Sequence, residues 1–194
     1  MKAKKYLILA AAILISSAVV YGAVRAVSER GTLQGVKGFH VLIEDLSSDA
    51  KAAGLSRERL KTLVELKLRM ADVKVLPYDE EIPATVLRPT LYLRLYIQKV
   101  SESYAFAYAV IATLEFKQLV VLHRNKDIIC FATTWEDRQG AVIVGTGNDS
   151  LVINHRLTNF AEKTVKELVD EFLNDYLAAN PKEPTGTKPK PNNK

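Results

Sequence analysis

With a single cysteine in 194 residues, the chain can form neither an intrachain disulfide nor a cysteine-based zinc site. Histidine is almost as scarce. His40, His123 and His155 are the only three, none pairs at i, i+4, and no HExxH spacing exists. Nine glycines and seven prolines are too few for a collagen-like or low-complexity chain. No GxSxG elbow and no P-loop occur. Adjacent acids stand at Glu44-Asp45, Glu80-Glu81 and Glu136-Asp137. Paired carboxylates can divide acid and base work in glycoside hydrolysis. Neighbours on a strand point to opposite faces, however, and the other pairs read as solvated turn charge. Cys130 lies between Ile129 and Phe131 and reads as a small buried hydrophobe rather than a reactive thiol. Unpaired in an exported chain, it could also cross-link two copies. The sequence therefore assigns no catalytic residue, no cofactor and no metal.

What is present begins with charge. The net charge is +5 and the isoelectric point about 9.2, which alone would suggest nucleic acid or an anionic membrane. The charge is segregated. Residues 1–30 carry +4 and residues 181–194 carry +3, leaving −2 for residues 31–180. The middle of the chain is slightly acidic, so no nucleic-acid partner is expected.

Lys2, Lys4 and Lys5 precede an uncharged run from Tyr6 to Val24. A basic start before an apolar stretch marks a secretory signal or a membrane anchor. The positive-inside rule keeps those lysines in the cytoplasm and places the rest of the chain outside it. Ser16-Ser17-Ala18 fits the small-x-small cleavage pattern, while the full run is long enough to span a bilayer. Cleaved signal and uncleaved anchor both remain open. Residues 1–30 are thus a signal peptide or anchor, 31–180 the folded domain, and 181–194 a basic tail without core-forming residues.

The domain reads as strands around two helices. Phe39, Val41 and Ile43 alternate with His40, Leu42 and Glu44 and predict a first strand. Ser47-Ser48-Asp49 can cap a helical turn that Gly54 ends. Ser56 can cap a full helix whose Leu60, Leu63, Val64, Leu68 and Ala71 form one stripe. Val73 to Leu76 predicts a short strand before Pro77, and Tyr78 to Pro89 a loop. Leu91, Leu93, Leu95 and Ile97 alternate with Tyr92, Arg94, Tyr96 and Gln98. That is a strand with one core face. Tyr104 to Arg124 predicts a long strand with a bulge or bend near Phe116–Gln118, because its length exceeds an ordinary strand. Ile128 to Trp135 predicts another, Glu136 to Gly140 a turn, and Ala141 to Val144 a last strand. Leu157, Phe160, Ala161, Val165, Leu168, Phe172 and Tyr176 predict a helix over about 151–179, stopped by Asn180-Pro181. The expected fold is α+β: a single antiparallel, partly mixed sheet of about five or six strands, with both amphipathic helices on one face.

Two further patterns concern function. Gly145-Thr-Gly147-Asn-Asp-Ser150 lies between a strand and a helix, like a dinucleotide loop. That fingerprint needs another strand after the helix, and here the helix is the last element. A turn with a helix cap is the simpler reading; the segment also matches a glycosylation sequon of eukaryotic secretory routes. The second pattern is aromatic. If both helices cover the leucine face, Tyr92, Arg94 and Tyr96, with Tyr108 and Trp135 on neighbouring strands, make a candidate binding face. Coverage by the 78–89 loop or by a second copy is the alternative.

Gly54-Leu55 through Leu60, Leu63 and Leu68 to Val73-Lys74-Val75-Leu76 resembles the helix-then-strand unit of TolB amino-terminal and curli-secretion-type envelope domains. The segment from Val169 to Pro181 also resembles the final helix of uncharacterised exported bacterial proteins. The resemblance follows the order of elements over about residues 36–180 and implies envelope assembly or protein binding rather than catalysis. The expected protein is extracytoplasmic, secreted, periplasmic or anchored by residues 6–24. It is expected to bind an envelope protein or a small ligand without catalysis. A hydrolase with a composite His/acid site and a structural homo-oligomer subunit are the competing readings.

Overall fold

A computed structural model describes residues 29–77, 88–101, 105–146 and 150–181. The strands are β1 (His40–Ile43), β2 (Thr90–Ser101), β3 (Ala105–Leu122) and β4 (Asn125–Thr146). The helices are α1 (Ser48–Ala52), α2 (Arg57–Met70) and α3 (Ser150–Ala179). The sheet runs β1-β2-β3-β4, with β1 parallel to β2 and the other pairs antiparallel. The parallel pair requires a crossover, and α1 and α2 lie within it.

Local chemistry sets the helix ends. The Ser47 hydroxyl accepts from the Ala50 N–H and donates to the Ile97 carbonyl, 2.8 Å away, tying α1 to β2. Asp49 adds a second tie by accepting from the Lys99 N–H. Gly54 follows α1 at φ +91°, where a side chain would be strained. Ser56 caps α2 by accepting from the Arg59 N–H at 3.1 Å.

One core joins the layers. Leu60, Val64 and Leu68 of α2 are buried with Leu157, Val165, Leu168 and Phe172 of α3. They meet Leu91, Leu93, Leu95 and Ile97 of β2 and Val110, Ala112, Leu114 and Phe116 of β3. Phe172 is its aromatic centre, with ring centroids 5.1 Å from Trp135, 5.4 Å from Phe39 and 5.8 Å from Phe116.

Among the described residues the sheet has four strands, not five or six. Glu136 to Gly140 is no turn: its residues continue β4, opposite Ile111 to Glu115. β4 is an edge strand, so its polar side chains need no second neighbour, and charge there discourages pairing with other chains. The 73–76 strand shrinks to one bridge between Phe39 and Val75. The bulge does fall at Phe116/Lys117, where Thr134 is the extra residue of β4.

The expected signal or anchor lies outside the described residues as far as residue 28. So do residues 78–87 of the long loop, Gly147 to Asp149 of the glycine loop, and the tail from residue 182. Among the described residues, no helix is long and apolar enough to cross a membrane.

Candidate functional site: a charged groove on the outer sheet face

Strand alternation sends Tyr92, Arg94 and Tyr96 away from the core. Register then builds three rungs across the sheet. Tyr92 stands opposite Glu115 and Glu136, Arg94 opposite Thr113 and Arg138, and Tyr96 opposite Ile111 and Gly140. Among the described residues, no helix crosses this face.

Glu115 anchors the charge on it. Its carboxylate is buried yet pairs with both Arg94 and Lys117, the latter at 2.8 Å. Burial by itself would raise its pKa, but Lys117 and Arg94 outweigh burial and hold it below the usual carboxylate value. Lys117 also sits 4.3 Å from the centre of the Tyr92 ring. The Tyr92 hydroxyl is pushed above its ordinary pKa, first by burial and then by Glu44, to which it hydrogen-bonds. Arg138 donates from Nε to the Thr113 hydroxyl at 3.2 Å. No carboxylate pairs with the Arg138 guanidinium among the described residues. Arg94 Nε is buried without a hydrogen-bond partner.

Where β1 gives way to the loop at Glu44–Ser47, a groove of about 450 Å³ opens beside these rungs. Glu44, Arg94, Tyr96, Ile111, Thr113 and Arg138 line it. Its lining brings together the cationic donors Arg94 and Arg138, the carboxylates of Glu44 and Asp45, an aromatic ring and a branched alkyl group. Such a lining can hold an anionic group beside an apolar one.

The structure divides the five residues of the expected face. Tyr92, Arg94 and Tyr96 share the outer face. Tyr108 and Trp135 do not join them. Tyr108 falls in phase with Val110, Ala112 and Leu114 and packs against the core. Trp135 stands opposite Phe116, is only 3 % exposed, and lies against Phe172. The groove instead adds Thr113 and Arg138, which sequence reading did not select. In-phase polar residues at Thr113, Glu115 and Lys117 were the available signal. Arg138 was hidden by the apparent turn.

The other candidates stay apart. His40 is buried on β1, His123 is exposed at the β3–β4 tip, and His155 is exposed on α3. No cluster of three or more His, Cys, Asp or Glu suited to a metal occurs among the described residues. Cys130 is half-buried on β4, opposite Val120.

No family model matches the chain, and no curated protein matches it. The expected likeness to TolB amino-terminal and curli-secretion-type domains is therefore not shown. Among solved structures, the chain is similar to a hypothetical protein from Chlamydia trachomatis at 8% identity and a TM-score of 0.36, covering 73% of this chain and 94% of that one. A minor lipoprotein from Acinetobacter baumannii matches at 8% identity and a TM-score of 0.30, over 72% and 91% of the two chains. A PelC dodecamer from Paraburkholderia phytofirmans matches at 11% identity and a TM-score of 0.30, over 75% and 90%.

Proposed function

We propose that the chain is an extracytoplasmic, non-catalytic binding domain whose ligand occupies the groove beside Arg94 and Arg138. The basic start and the apolar run over residues 6–24 support export. The observation that carries the binding reading is the pairing of an unopposed Arg138 with Tyr96 and Ile111 in one open groove. Arg94 Nε, buried without a partner, supports it as a donor awaiting an acceptor. The ligand is a small molecule or peptide end with an anionic group and a short apolar part.

Thermal unfolding with a panel of small carboxylates, phosphate monoesters and acidic tripeptides tests this, with neutral sugars as controls. A ligand at 100 times its Kd stabilises by about 2.7 kcal/mol, which raises Tm by roughly 5–10 °C for a domain of this size. Arg138→Ala should abolish that rise while moving the unliganded Tm little, because the side chain is exposed. Anionic probes that leave Tm where the sugars leave it would sink the reading. So would an undiminished rise in Arg138→Ala.

A further inference from the structure

The β3–β4 hairpin continues past the bulge to a turn between Leu122 and Asn125. Beyond the bulge its outer face changes character. Leu119 pairs with Phe131 and Val121 with Ile129, so four apolar side chains stand on one face. They are exposed by 48, 36, 56 and 61 % respectively. Every residue from His123 to Ile129 is exposed. A contiguous apolar face of this kind marks a contact surface. The tip itself is cationic. Arg124 and Lys126 stand there against one acid, Asp127, and neither cation is in an ion pair among the described residues.

Two observations say what covers this face. The first is charge: an apolar patch rimmed by unpaired cations suits an anionic lipid surface. The second is chain length. The segment before the fold is held at the hairpin base, where the Thr32 hydroxyl donates to the Thr134 carbonyl and Gln118 donates to the Thr32 carbonyl. Only seven residues lie between Val24, the end of the apolar run, and Thr32, and with residues 29–31 helical the reach is at most about 23 Å. Thr134 and Ile128 are six strand residues apart, about 20 Å. A bilayer holding residues 6–24 is therefore within reach of the hairpin tip.

We propose that the β3–β4 tip docks on an anionic bilayer surface through Leu119, Val121, Ile129 and Phe131, with Arg124 and Lys126 on lipid headgroups. The groove at Arg94 and Arg138 takes no part, so the two readings stand or fall separately.

Depth-dependent fluorescence quenching in the full chain tests the docking. Cys130→Ser removes the single native thiol, and Ile129→Cys or Val121→Cys then carries an environment-sensitive dye. Lys163→Cys, on the exposed side of α3, is the control site. The chains are reconstituted into vesicles of phosphatidylcholine with phosphatidylglycerol, containing lipids brominated at a shallow acyl position. Quenching several-fold stronger at 129 and 121 than at 163 is expected. Arg124→Glu with Lys126→Glu should remove most of it. Equal quenching at all three sites overturns the proposal. So does a blue shift at 129 that grows with protein density and ignores brominated lipid, since a second copy then covers the face. Quenching that is the same in pure phosphatidylcholine overturns the headgroup contact.

Discussion

Trp135 donates its indole N–H to the Asp175 carboxylate at 2.9 Å, and Arg30 closes on the same carboxylate at 2.7 Å. A buried strand residue, the last turns of α3 and the start of the fold thus meet at one acid. The two bonds are unequal. The indole is buried, so a lost acceptor leaves its N–H unsatisfied, whereas the Arg30 head is largely exposed. Asp175→Ala should cost about 1–3 kcal/mol and Arg30→Ala less than about 1 kcal/mol. Asp175→Asn keeps an acceptor and should fall between them. Urea unfolding followed by the emission of Trp135, the only tryptophan, measures all three. Equal costs for Arg30→Ala and Asp175→Ala would show that the ion pair, not the indole bond, dominates.

That contact also shows what the pattern of residues could and could not reveal. Leu91 to Ile97 and the α2 stripe were legible because each alternates or recurs over enough residues to fix one face. Ser47 and Ser56 were legible as caps because capping is local. Trp135 was not. Its side is set by the β3–β4 register and by the bulge at Thr134, and a register shift of one residue reverses every side chain after it. Glu136 to Gly140 misled for a related reason. Polar residues on an edge strand look like a turn when the strand that pairs with them is unknown. The groove combines both difficulties, since Arg138 comes from that stretch and Thr113 faces it only through pairing. Tyr92, Arg94 and Tyr96, on a single strand, were readable together.

Phe172 makes the largest demand on core packing. Its ring meets Phe39, Phe116, Trp135 and Tyr176, and no part of it is exposed. Phe172→Ala removes the hub and leaves a cavity between α3 and the sheet. The expected cost is about 3–5 kcal/mol, with a smaller loss for Phe172→Leu, which refills part of the volume. Because Trp135 lies 5.1 Å away, its native-state emission should shift to the red in Phe172→Ala before unfolding begins. An unshifted spectrum with wild-type stability would contradict the packing described.

Glu115 gives the outer face an acid sensitivity. Its folded pKa lies below the ordinary 4.5, because Lys117 and Arg94 outweigh the effect of burial. A carboxylate depressed in the fold contributes stability at pH values above 4.5, and that contribution is lost as pH falls through its lower folded value. Glu115→Gln should therefore flatten the stability profile below pH 4.5. It should also destabilise modestly at neutral pH, since Arg94 and Lys117 stay partly solvated. Parallel acid limbs in the two proteins would rule out Glu115 as the source.

His40 should act at a higher pH and in the same direction. Its side chain is buried on β1, and burial first, then the positive charge of Arg88, lowers its pKa from 6.5. The unfolded chain takes up this proton near pH 6.5, while the folded chain resists it until the pH is lower. In that interval the unfolded state binds more protons, so stability falls as pH falls. Below the folded pKa both states are protonated and no further loss follows. His40→Gln should remove a step that begins near pH 6.5 and leave the Glu115 step below pH 4.5 in place. Urea midpoints across the two intervals separate the groups. If Arg88→Gln raises the lower end of the upper step toward pH 6.5 and so shrinks it, the charge of Arg88 reaches the imidazole; if the step is unchanged, Arg88 does not contribute to it.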